Sequence, residues 1–158
     1  MITTPRLQLW PVDPAQAEAL AEGRSLMPSV ADYPHADTSA AARLARSALE
    51  VDNFVPGYGM YLIVADGLVI GDIGFHAPPD ERGVVEIGYG LAPSARGRGY
   101  GAEALEALVA WAFENGTALV IADTDADNTA SMAVLESAGF TRTRRQRVGE
   151  RVRYQRRR

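Results

Sequence analysis

Hydrophobic and polar residues alternate at the start of the chain, where "RLQLWPV" predicts a strand over Arg6–Val12. The pattern then turns helical. "DPAQAEALAEG" offers Asp13 as cap, Pro14 at the first helical position and Gly23 near the stop. A second helical stretch, rich in alanine and leucine, covers Asp37 to Asp52, with Asp37 or Thr38 as its cap. Three strand segments follow in succession, "GMYLIVAD", "LVIGDIGFHA" and "GVVEIGYGLA", joined by Asp66-Gly67 and by "PPDERG". Such short polar connections make an antiparallel meander rather than crossover units.

After Ala92 the period changes. Gly101 to Asn115 places Leu105, Leu108, Val109, Ala112 and Phe113 on one helical face, and Gly116 stops it. "ALVIADT" reads as a buried strand, Asn128 to Ala138 as a short helix, and "FTRTR" with "RVRYQR" as a closing hairpin. The expected order is β-α-α-β-β-β-α-β-α-β-β. That is an α/β chain with a mixed, mostly antiparallel central sheet and helices on both faces. Trp10 and Trp111 are assigned to the core.

Composition narrows the chemistry more than the fold. The 158 residues, 47% hydrophobic and 23% charged, are one soluble domain's worth. There is no cysteine, which excludes disulfides, thiolate metal sites and a cysteine nucleophile. The two histidines, His35 and His76, lie far apart, so no metal site is expected. No apolar run is long enough for a membrane span and no secretory signal pattern opens the chain, so a cytoplasmic protein without membrane contact is expected.

Charge is uneven along the chain. Residues 1–141 hold 7 Arg and 19 acidic side chains, whereas 142–158 hold 9 Arg and Glu150. Every basic residue is arginine. Such an end suits RNA or an acidic partner. A solvated last strand with a frayed tail is the expected reading, and nucleic acid is not the expected partner.

The stretch "LAPSARGRGYGAEAL" sits between a predicted strand and a predicted helix. A loop feeding a helix N-terminus collects unpaired N–H groups and the positive end of the helix dipole, and glycines let phosphate oxygens approach. A P-loop is excluded because the chain has no lysine. Gly97, Gly99 and Ala102 match a dinucleotide fingerprint, but that motif belongs in the first unit of a parallel sheet. A glycine-rich turn without a ligand is the third reading.

Arg96-x-x-Gly99-x-Gly101 resembles the Gln/Arg-x-x-Gly-x-Gly/Ala signature of the GNAT N-acetyltransferases. "TPRLQLWPV", "VEIGYGLAPSARGRGYGAEALEALVAWAF" and "DTDADNTASMAVLESAGF" extend the resemblance over nearly the whole chain, to the RimJ/RimL-type branch. The resemblance implies a GNAT fold and an acetyl-CoA-dependent N-acetyltransferase. Its co-substrate would be held by the backbone of Tyr89, Gly90 and Leu91, by the amides of Arg96, Gly97, Arg98, Gly99, Tyr100, Gly101 and Ala102, and by Asn128 and Ser131 near the thiol. It also implies an amine acceptor, first a protein or peptide N-terminus, and homodimers are common in the family.

Acetyl transfer needs a neutral amine, and an α-amino group titrates near ~7.7–8.0 against ~10.4 for a lysine side chain. Glu86, mid-strand among apolar neighbours, and Asp123, which aligns with a base position in some relatives, are the candidate bases. Leu135 stands where the family often has a tyrosine acid, so Ser131 is the candidate proton donor. Tyr33, His35 and His76 are the candidate acceptor residues. An antibiotic or polyamine acceptor would demand an acidic pocket, a peptide an open groove. A binding module that holds acyl-CoA without turnover is the rival from another class.

Overall fold

The computed structural model describes residues 1–51, 54–148 and 151–158. A two-residue strand β1 (Ile2–Thr3) precedes β2 (Gln8–Pro11) and escapes sequence reasoning because it is too short to carry a pattern. The first helix, α1 (Pro14–Ala21), starts as expected. Asp13 accepts from the Gln16 N–H while the Gln16 side chain accepts from the Asp13 N–H, a reciprocal capping box. Helix α2 (Thr38–Leu49) follows; Asp52, its expected last residue, lies outside the described residues.

The meander is present as β3 (Met60–Ala65), β4 (Leu68–Phe75) and β5 (Val84–Leu91). Helix α3 (Tyr100–Glu114), strand β6 (Leu119–Asp125), helix α4 (Thr129–Ser137) and the hairpin β7 (Thr141–Val148) and β8 (Arg151–Arg157) complete the chain. Gly149 and Glu150 lie outside the described residues. The expected fraying of the end is not found. Strand β8 runs to Arg157, and the Arg158 N–H donates to the Ala118 carbonyl at 3.2 Å.

The sheet order is β1-β2-β3-β4-β5-β6-β8-β7, antiparallel except where β5 meets β6. Both faces are covered, so β3 reads as an unbroken apolar run. Met60, Leu62 and Val64 face a core shared with α1 and α2, while Tyr61, Ile63 and Ala65 face one shared with α3 and α4. Leu7 and Leu9 join the second core. Period-two alternation therefore sends Trp10 the other way, and it is exposed rather than buried. Trp111 does pack on the core, edge-on to Tyr58.

Candidate active site

Strands β5 and β6 pair in parallel only over Val84–Glu86 against Leu119–Ile121. Beyond that point β5 continues along β4, and β6 continues along β8 as far as Asp125 opposite Arg151. The sheet is split by a gap. The ladder between β4 and β5 fixes which groups face it. The His76 N–H donates to the Glu86 carbonyl and the Ala92 N–H to the Ile70 carbonyl. Hydrogen-bonded pairs alternate in an antiparallel ladder, so Gly88 and Gly90 bond to β4 while the N–H and C=O of Tyr89 and Leu91 turn towards β6.

At the mouth of this gap lies the glycine loop. Gly97 and Gly99 have φ of 77° and 80°, a region that disfavours any side chain. Gly99 caps α3 with no side-chain hydrogen bond, and the first intrahelical bond is Glu103 N–H to Gly99 C=O. The amides of Tyr100, Gly101 and Ala102 thus precede the first helical hydrogen bond, at the positive end of the dipole. Arg96 Nε donates to the Leu91 carbonyl at 3.2 Å and closes the loop on its strand.

The loop is clamped from both sides. Glu103 accepts from the Thr4 hydroxyl, the Arg6 N–H and Arg6 Nε, while Arg6 also donates to the Arg98 carbonyl at 2.8 Å. The Arg6 guanidinium lies over the Tyr100 ring at 4.6 Å. From the other side, Asp32 accepts from the N–H and hydroxyl of Ser94, in the 3₁₀ turn Pro93–Ala95. Those hydrogen bonds hold the Asp32 carboxyl below its usual range. Arg6, Asp32 and Glu103 are site-forming residues that sequence reasoning missed, because each acts on the loop from a distant segment.

Across the gap, Asn128 accepts from the Ser131 N–H at 3.0 Å and so caps α4. The Ser131 hydroxyl lies 3.0 Å from the phenolic oxygen of Tyr89. Burial raises the Tyr89 pKa, opposed by the Ser131 hydrogen bond, and the phenol stays protonated. Sequence reasoning used only the backbone of Tyr89; its hydroxyl reaches the same helix turn as Ser131. Leu135 is buried in the core.

On the opposite face of β5, the chain's two histidines lie against glycines. A Cβ on Gly88 would meet His76 Nε2 at 2.9 Å, and one on Gly90 would meet His35 Nε2 at 2.7 Å. Each ring has a carboxylate beside it. His76 Nδ1 is 3.3 Å from Glu86 Oε1, half exposed; His35 Nε2 is 3.3 Å from Asp72 Oδ2, buried and off the hydrogen-bonding direction. Asp72 also accepts from Tyr33 and Thr38, at 3.1 and 2.8 Å. Burial acts to lower the His35 pKa, but the Asp72 carboxylate beside the ring outweighs it and the net shift is upward. Burial and Asp72 push the Tyr33 phenol far up.

Asp72 is the other residue that sequence reasoning missed. Its signal, an acid inside "LVIGDIGF", is the same one that singled out Glu86. Asp123, by contrast, is locked to Arg153 by two hydrogen bonds of 2.8 and 2.9 Å, which hold its carboxyl below the usual range. His35, His76 and Asp72 line a cavity of about 420 Å³ between α2 and the sheet, with Arg151 at one end. Among the described residues, no three acidic or histidine side chains gather as a metal would require, and no helix is long and apolar enough to cross a membrane.

Residues 6–141 match the profile of the family described as the acetyltransferase (GNAT) domain. A Bacillus subtilis (strain 168) protein, the uncharacterized N-acetyltransferase YjdG, is 33% identical over 112 residues, 69% of this chain and 67% of that one. The crystal structure of an acetyltransferase from Agrobacterium tumefaciens str. C58 superposes with a TM-score of 0.71 at 27% identity, covering 99% of this chain and 94% of its own. RimL, a ribosomal L7/L12 alpha-N-protein acetyltransferase solved with coenzyme A, shares the fold at 0.70 and 23% identity over 98% and 95% of the two chains. With a split mixed sheet, an uncapped helix start below the gap and this match over most of its length, the chain belongs to the GNAT family of N-acetyltransferases.

Proposed function

We propose that the chain moves the acetyl group of acetyl-CoA onto a primary amine, with a protein or peptide N-terminus as the acceptor. The observation that carries this reading is the gap between β5 and β6, with the amides of Tyr89 and Leu91 on one wall and the uncapped start of α3 at its mouth. Bound there, acetyl-CoA supplies an activated thioester. The loop from Arg96 to Ala102 takes its pyrophosphate, and the N–H groups of Tyr89 and Leu91 are donors for the developing oxyanion.

The acceptor comes from the other face. His76 takes the proton from the ammonium, and Glu86, 3.3 Å from its second nitrogen, stabilises the imidazolium that results. Asp123 is a poorer base because Arg153 holds its pKa down. Its negative charge faces His76 and adds to the same field. Ser131 and Tyr89 form the hydroxyl pair from which a departing thiolate takes a proton, in the place left by Leu135. The RimL likeness favours an α-amine. The cavity's apolar walls and Arg151 disfavour a polycationic antibiotic or polyamine.

Titration calorimetry with acetyl-CoA, followed by thiol release over a peptide and amine panel, tests the reading. Binding with release on peptide N-termini is expected, and His76→Asn lowers kcat/KM by about a hundredfold or more at unchanged acetyl-CoA affinity. Absence of acetyl-CoA binding overturns it. Binding without release on any amine leaves the acyl-CoA-holding module in its place.

A further inference from the structure

Helix α2 has an apolar face that the core uses only in part, through Ala41, Ala45 and Leu49. Ala41, Leu44, Ala45, Ala48 and Leu49 fall at helical spacing on one side, with Arg43, Arg46 and Ser47 opposite. In a covering helix such a face is buried against its sheet. Here only Thr38 and Ala42 of the helix are buried, and Leu44 remains 62% exposed. All five apolar residues also line the cavity. Three of them are alanines, whose short side chains leave the space beside them unfilled. The far walls are also apolar, with Met60, Phe75 and the partly exposed Phe54.

The cavity's two histidines sit at the sheet, against Gly88 and Gly90 of β5. Of its two carboxylates, Asp72 is occupied by Tyr33, Thr38 and His35, which leaves Asp37. An acceptor with several ammonium groups finds one free carboxylate and the Arg151 guanidinium. An acceptor with one amine and an apolar body finds a match at both ends: a histidine and carboxylate at the sheet, and hydrocarbon walls beyond.

Resting on the reading of the chain as an amine acetyltransferase, we infer that its acceptor carries a single primary amine on an uncharged apolar body about the size of a leucine or phenylalanine side chain. That body lies between α2 and the sheet while the amine points at His76. A peptide with a large apolar first residue and a free arylalkylamine share this chemistry. The volume, about 420 Å³, is ample for either and lies in the range of small-molecule sites.

The test compares thiol release with acetyl-CoA on peptides alike except for a first residue of Leu, Phe, Ser or Asp, and on phenethylamine and spermidine. Leu- and Phe-initial peptides or phenethylamine are expected to exceed the others by about ten- to a hundredfold in kcat/KM, the worth of burying one large side chain. Preference for the peptides over phenethylamine identifies a protein N-terminus as the source, and the reverse a free amine. Ala45→Leu, which fills the cavity, removes that advantage.

Preference for Ser, Asp or spermidine overturns the inference, as does an Ala45→Leu variant with unaltered selectivity. If no amine releases thiol, catalysis fails, and calorimetry with leucinamide decides the cavity separately. Binding that Ala45→Leu abolishes supports it; no binding to the native protein overturns it. If Leu44→Asp turns a dimer into a monomer without touching acceptor preference, the face joins two copies and the inference falls.

Discussion

The two sides of β5 are built on opposite plans. On the side of α3, every neighbour of the glycine loop is tied down: Arg6 to Glu103 and to the Arg98 carbonyl, Asp32 to Ser94, Arg96 to the Leu91 carbonyl. On the side of α2, a helix leaves its apolar face facing a cavity. On the proposed function, the difference follows the reactants. A donor that never changes is best met by fixed dipoles, which need no reorganisation when charge develops. An acceptor that differs between relatives is met by a surface whose shape is set by a few side chains, where alanine or leucine decides what enters.

Breaking the rigid side should therefore silence every reaction, whereas changing the open side should only redirect it. Gly101→Glu has the largest expected effect. A Cβ there would already meet Val134 at 3.2 Å and Tyr89 at 3.4 Å, and the added carboxylate opposes the pyrophosphate. Calorimetry should find acetyl-CoA affinity reduced by more than about a hundredfold for all acceptors alike. Retained affinity would mean that the loop is not the anion site. Circular dichroism separates this from misfolding.

Asp72→Ala comes next. It strips a buried acceptor from Tyr33 and Thr38 and the neighbouring charge from His35, and should cost about 2–4 kcal/mol in urea unfolding. Because His35 has a pKa above its ordinary 6.5, the stability it contributes is full below that pH and is lost as pH rises through the raised value. The melting temperature of the native protein should fall as pH rises above 6.5 and through the raised value, and His35→Asn should flatten that fall. A slope unchanged in the variant would assign it elsewhere.

The smallest effect belongs to Glu103→Ala. Its carboxylate ties Thr4 and Arg6 to the helix that starts at the loop, so the KM for acetyl-CoA should rise about three- to tenfold, with kcat little changed. Since solvent reaches Arg6, the native advantage should shrink in high salt. A fall in kcat instead would place the tether in the chemistry rather than in binding.

What the sequence disclosed follows the same division. The loop and its helix were legible because their signals are local: glycines at 97, 99 and 101, then apolar residues at helical spacing. Asp13 and Pro14 marked α1 in the same way. The gap was not readable residue by residue, because it arises where Glu86 and Ile121, far apart in the chain, stop being neighbours. Asp72 stayed hidden because its partners come from positions 33, 35 and 38 across a loop. Trp10 was misplaced for a simpler reason. Its size suggested burial, but Leu7 and Leu9 hold the inward register of that edge.

The clamps have one more consequence. Arg6, Arg96 and Arg153 do the work that an ammonium could share, and no lysine occurs anywhere in the chain. A guanidinium stays protonated at neutral pH and has no free lone pair for a thioester, whereas a lysine amine is a target of acetylation. The scaffold offers no side-chain amine to the acetyl donor it handles. Its side chains are proof against N-acetylation.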